Sequence, residues 1–92
     1  MNSTQIRCFL SAAQHHSFSK AAESLYLTQP SVSRYIGQLE EEWGVSLFVR
    51  SGKAVSLTPQ GEEYYRLCLR CQTEFDHLKR KHQAISEQTT LS

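Results

Sequence analysis

No run in this chain approaches the eighteen or more consecutive apolar residues that a membrane span requires. The first thirty residues also lack the basic start and apolar core of a secretory signal, the longest early apolar stretch being Cys8–Leu10. The chain lacks an even set of cysteines: Cys8, Cys68 and Cys71 make an odd set that does not suit a secreted disulfide framework. These absences predict a cytoplasmic protein with reduced thiols and no membrane partner. Neither sign of charge is in excess. Ten Lys and Arg stand against nine Asp and Glu, a net +1, so composition alone argues for no nucleic acid, lipid or acidic partner. Ninety-two residues fill one domain and leave no room for a two-lobed enzyme. With 39% hydrophobic and 21% charged residues, the chain has the composition of a folded globular protein.

What is present is helical periodicity. Ile6, Phe9, Leu10 and Ala13 recur at i, i+3, i+4 and i+7, which predicts a first helix over about residues 4–15 with one buried stripe. Ser17 or Ser19 can cap a short second helix carrying the small pair Ala21-Ala22, and Thr28 caps a third with Pro30 in its first turn. That third helix aligns Val32, Ile36, Leu39 and Trp43 on one face and meets a terminator at Gly44. Residues 45–50 and 54–57 are short β-prone runs around Ser51-Gly52-Lys53, the pattern of a small hairpin. Thr58-Pro59 then opens a last helix that no proline and only Gly61 interrupts as far as Ile85. The order helix, helix, turn, helix, hairpin, long helix predicts a mainly α chain. Its fold class is a winged helix-turn-helix, a three-helix core with a two-stranded wing, plus a long C-terminal dimerisation helix. The expected boundaries are 1–58 for the winged unit, 59–86 for the linker helix and 87–92 for a flexible tail.

A helix from Pro59 to Ile85 measures about 40 Å, whereas a compact domain of this length has a radius of gyration of about 12 Å. Such a helix overhangs its domain. Tyr64, Cys68, Cys71, Phe75, Leu78, His82 and Ile85 step by 4, 3, 4, 3, 4, 3 along it, a heptad seam suited to pairing with a second copy. Tyr65, Leu67 and Leu69 form a second stripe that suits packing on the chain's own domain. Folding of the whole helix back onto that domain is the alternative to a homodimer.

Opposite the core face, the third helix offers Gln29, Pro30, Ser31, Ser33 and Arg34. Gln can pair bidentately with adenine and Arg with guanine, while Pro can touch a thymine methyl. Serine hydroxyls and helix N-terminal N–H groups suit phosphate oxygens. Arg50 and Lys53 stand on the wing, placed for backbone or minor-groove contact. The residue types alone leave open a protein-interaction module that uses the seam without DNA, although that reading gives Gln29–Arg34 and Arg50 no role. Cys68-x-x-Cys71 with His77 and His82 has zinc-ligating residue types. The spacing within one helix lacks the loop that a tetrahedral site needs, so neither a metal nor a cofactor is expected. His15-His16 has no nucleophile or paired carboxylate in a pocket-forming context, and no enzymatic activity is expected.

The sequence resembles the N-terminal DNA-binding domain of the LysR-type transcriptional regulators. The resemblance rests on Ser17-Phe18-Ser19 with Ala21-Ala22 and Leu25, and on the run Thr28-Gln29-Pro30-Ser31-Val32-Ser33-Arg34. It continues through Ile36, Leu39-Glu40 and Gly44 to Leu47-Phe48, Arg50, Leu57-Thr58-Pro59 and Gly61-Glu62. It implies a third helix in the major groove, with Gln29, Pro30, Ser31, Ser33 and Arg34 as the groove-facing set, Arg50 at the wing contact and Lys53 as the wing-tip cation. Ala22, Leu25, Val32, Ile36, Leu39, Phe48 and Leu57 would be core. It also implies a linker helix that pairs two subunits, hence a double-stranded inverted-repeat target. Any small-molecule effector would act through a further domain that this chain does not contain. The chain departs from the family pattern at His16, where Gly is frequent, at Gly37, where a basic residue is frequent, and at Trp43, where Leu is usual. Tyr35 takes the place of a polar residue, and Glu40, Glu41 and Glu42 lower the local positive charge.

Overall fold

A computed structural model describes the backbone of residues 1–91 and the side chains of residues 1–83. Three helices, a two-stranded wing and a fourth, long helix follow one another: α1 (Ser3–His15), α2 (Phe18–Leu25), α3 (Gln29–Trp43), β1 (Phe48–Ser51), β2 (Ala54–Leu57) and α4 (Pro59–Leu91). Each of the first three helices begins at a polar cap. Asn2 and Gln5 form a reciprocal capping box on α1, Ser17 Oγ accepts from the Lys20 N–H on α2, and Thr28 Oγ1 accepts from the Ser31 N–H on α3.

The core is two clusters sharing α1. The first gathers Cys8 and Ala12 with Phe18, Ala21, Ala22, Val32, Ile36 and Val55. The second gathers Phe9 and Leu10 with Leu39 and Leu47, flanked by Trp43, Phe48, Leu57, Tyr64 and Tyr65. The expected stripe on α1 is present at Phe9, Leu10 and Ala13, with Ile6 half-buried, but Cys8 and Ala12 are also fully buried on the adjoining face. A single-stripe reading underestimates α1 because it lies between α2 and α3 on one side and the root of α4 on the other. Phe9 organises the second cluster, meeting Trp43, Phe48 and Tyr65 edge-on at centroid distances of 6.1, 5.7 and 6.2 Å. Trp43, larger than the leucine usual in the family pattern, stacks flat on Tyr64 at 4.3 Å and so ties α3 to α4. Burial pushes the Cys8 thiol above its ordinary range, and burial followed by the neighbouring Cys71 does the same to Cys68. At both, burial favours the neutral thiol over the thiolate.

The wing pairs Phe48 with Leu57, Val49 with Ser56, Arg50 with Val55 and Ser51 with Ala54, turning at Gly52 with φ +63°. Residues 45–47, expected to extend the first strand, instead form its anchored lead-in. Leu47 is fully buried and its N–H donates to Glu40 Oε2 at 2.7 Å. Glu40 thus works inward, as a brace between α3 and the wing. Among the described residues no helix is long and apolar enough to cross a membrane.

Helix α4 runs past the expected boundary at 86, and the side chains of residues 84–92, including Ile85 and the expected tail, lie outside the described ones. Its first turns pack on the second cluster. Residues 71–83 are all exposed, and the molecule measures 58 × 26 × 19 Å with a radius of gyration of 16.2 Å. The overhang inferred from helix length is therefore present, and residues 71–83 do not fold back.

Two non-glycine residues close α1 and α2 in the left-handed region, His16 (φ 53°) and Tyr26 (φ 57°). His16 occupies the position where the family pattern favours Gly, and the backbone gives the reason. His16→Gly is expected to stabilise the fold by about 0.5–1 kcal/mol, because Gly adopts this conformation without a Cβ clash. A rise in the midpoint of urea unfolding checks it, and an unchanged or lower midpoint contradicts it.

Candidate nucleic-acid interface

Helix α3 begins at a hydroxyl pair, with Thr28 Oγ1 donating to Ser31 Oγ at 2.8 Å while accepting from the Ser31 N–H at 3.3 Å. This cap holds the first turn with Gln29 and Pro30 exposed and Ser31 half-buried behind them. Pro30 sits where a missing N–H costs nothing. One turn on, Ser33 is half-buried and Arg34 exposed, its guanidinium 5.5 Å from the Tyr35 ring centre. The apolar positions Val32 and Ile36 are fully buried, and their burial fixes which side of α3 remains outside.

The wing is tied to the rest of this face at two places. The Val55 N–H donates to the His16 carbonyl at 3.0 Å, joining β2 to the turn between α1 and α2. Arg50 lies over the Phe18 ring at 4.9 Å from its centre and donates from Nη2 to Ser33 Oγ at 3.4 Å. Between the α2 N-terminus, Gln29 and the wing runs a groove of about 790 Å³ lined by Lys20, Arg50 and Lys53 among others, with no carboxylate in its lining. The acidic residues of α3 sit at its other end. Glu40 binds the Leu47 N–H, and Glu42 meets the Met1 ammonium at 2.7 Å. About eleven to thirteen residues of helix, on the order of 18 Å, separate them from Gln29. The face is thus locally cationic within a chain of net charge +1.

Gln29, Pro30, Ser31, Ser33 and Arg34 share the outer side of the N-terminal half of α3. Arg50 and Lys53 stand beside them on the wing, and both line the groove with Gln29. The sequence reading missed Ser17, Phe18 and Lys20 as members of this face. Ser17 is legible as a cap, but the docking of β2 against His16 brings it into the groove, and no local pattern announces that contact. The seam residues divide. Tyr64 and Cys68 are half-buried against the second cluster, whereas Cys71, Phe75, Leu78 and His82 are exposed on the overhang.

The family model described as bacterial regulatory helix-turn-helix protein, lysR family, matches residues 3–62. The RuBisCO operon transcriptional regulator of Allochromatium vinosum is 51% identical over 61 residues, 66% of this chain and 20% of that protein. The HTH-type transcriptional regulator CitR of Bacillus subtilis (strain 168) is 35% identical over 91 residues, 95% of this chain and 31% of that protein. The chain thus spans 20% to 31% of the length of these relatives. Among solved structures, the BenM_DBD/benA site 1 DNA complex matches with a TM-score of 0.87 at 32% identity, covering 94% of this chain and 97% of that chain.

Proposed function

Because this chain belongs to the LysR family of bacterial regulatory helix-turn-helix proteins, we propose that it is a transcription regulator's DNA-binding part, acting as a homodimer on an inverted-repeat duplex. The observation that carries this reading is the carboxylate-free groove joining Gln29, the α2 N-terminus, Arg50 and Lys53 beside an exposed α3 first turn. Residues 1–58 form the reading unit and α4 the pairing element, through Cys71, Phe75, Leu78 and His82, with Tyr64, Cys68 and Ile85 extending the same heptad. Helix α3 enters the major groove, where Gln29, Pro30 and Arg34 read base edges, and Ser31 and Ser33 contact phosphate or base. Arg50 and Lys53 meet the flanking backbone. A small-molecule effector, where one acts, acts through a further domain outside this chain. The relation to a domain solved on DNA supports the ligand class.

Selection of the protein's targets from a pool of random duplexes, followed by sequencing, tests the reading. An enriched inverted repeat is expected, and recovery of none at low salt overturns it. Two substitutions then separate the roles. Arg34→Ala is expected to relax one position in each half-site and cost about 1–3 kcal/mol. Lys53→Ala is expected to weaken all sequences alike and flatten the salt dependence by roughly one phosphate contact per subunit. Wild-type binding by both variants places the reading face elsewhere.

A further inference from the structure

We propose that Phe18 is a positioning residue for Arg50: the Phe18 ring, with the Ser33 hydroxyl, holds the wing guanidinium in place before DNA arrives. The inference rests on the reading of Arg50 as a backbone contact. Three elements meet at this side chain. The Phe18 ring centre at the start of α2 lies 4.9 Å below Cζ, and Ser33 Oγ on α3 accepts from Nη2 at 3.4 Å. The β1–β2 register sets Arg50 opposite Val55, which the His16 carbonyl anchors. Phe18 itself is 7% exposed and meets Phe48 edge-on at 5.4 Å and 85°, so neighbouring packing fixes its plane.

The way Arg50 is held matters for its use. A guanidinium docked on a carboxylate would have to break an ion pair before meeting phosphate. Among the described residues the salt bridges are Met1–Glu42 and Arg66–Glu62, and Arg50 is in neither. A ring face attracts the cation without neutralising it, and one long hydrogen bond to a hydroxyl leaves four of its five N–H donors free. A side chain already confined loses less conformational freedom on binding, and that saving appears as affinity. Phe18, at the edge of the groove, thus contributes to DNA binding through Arg50.

A double-mutant cycle on a mixed-sequence duplex at low salt tests this. Phe18→Leu is expected to weaken binding about two- to fivefold with the salt slope unchanged, because the Arg50 charge remains. Arg50→Ala is expected to weaken binding and to flatten the slope by roughly 0.9 per subunit. In the Arg50→Ala background, Phe18→Leu is expected to have no further effect. In the free protein, the Arg50 side-chain proton resonances are expected to show the ring's upfield shift, to lose it in Phe18→Leu and to regain it, with the affinity, in Phe18→Tyr. Equal losses from Phe18→Leu with and without Arg50 overturn the inference and leave Arg50 as a DNA contact. Wild-type binding and salt slope in Arg50→Ala overturn the DNA reading of Arg50 and the inference with it.

Discussion

In the proposed homodimer, an aspartate in place of Phe75 is expected to separate the subunits and to lower affinity for an inverted-repeat duplex by at least about a hundredfold. Phe75 is 69% exposed and Leu78 51%, on a stretch of α4 where every described residue from 71 to 83 faces solvent. Among the described residues only neighbours on its own helix flank Phe75, so the substitution removes little intramolecular packing. It places a carboxylate at the centre of the seam, where pairing would bury it without a partner. The affinity loss follows from valency. Two linked reading units gain roughly 10²–10⁴ over one when both half-sites are engaged. Sedimentation checks the mass, and the melting temperature checks that the monomer remains folded. An unchanged dimer mass would mean that copies pair through another surface.

The second large effect is expected at Gly61, in the first turn of α4. Thr58 precedes it as a buried cap whose hydroxyl donates to the Ser46 carbonyl at 2.5 Å and accepts from the Gly61 N–H at 2.9 Å. The Thr58 N–H donates to the Leu47 carbonyl at 3.0 Å. This draws Leu47 so close that a methyl on Gly61 would overlap its carbonyl oxygen and come within 3.1 Å of its carbonyl carbon and of Leu57 Cδ2. These obstacles are mostly backbone, so a rotamer change cannot relieve them. Gly61→Ala is expected to cost about 3 kcal/mol, at the upper end of overpacking effects, which lowers the melting temperature by on the order of 10–20 °C. Gly37→Ala provides the contrast. Beyond its own helical backbone and chain neighbours, no atom of the described residues stands within 4 Å of the added methyl, and a helix-interior alanine gains about 1 kcal/mol over glycine. A Gly61→Ala variant melting within a degree or two of wild type would mean that the junction yields readily.

Much of this molecule is legible in the sequence because its signals are local. Thr28-Gln29-Pro30 and Thr58-Pro59 are cap-plus-first-turn signals readable from a few adjacent residues, and Val32, Ile36 and Leu39 mark the buried side of α3 by spacing alone. By elimination, that spacing also gives the outer side. Less legible is whatever depends on contacts between distant residues. Cys8 and Ala12 look like an indifferent flank of α1 until α2 and α3 cover them. Glu40 looks like surface charge until Leu47 needs an acceptor, and Ser17 and Phe18 join the candidate interface only once β2 docks on His16. Trp43 is a similar case. Its size predicts a larger local core, but its partner, Tyr64, looks in the sequence like the first residue of the heptad seam.

The stacked Trp43–Tyr64 pair and the Thr58–Gly61 clasp fix the direction in which α4 leaves the domain. A rod of thirty-three residues is about 50 Å long, so it acts as a lever with its fulcrum at that clasp. A tilt of about 5° there swings the far end by about 4 Å, roughly the 3.4 Å rise of one base pair. Two copies joined by their levers would transmit such a tilt to the distance between their reading heads. The stiffness of a few contacts around Leu47, remote from any base, would then decide how much variation in half-site spacing the pair tolerates.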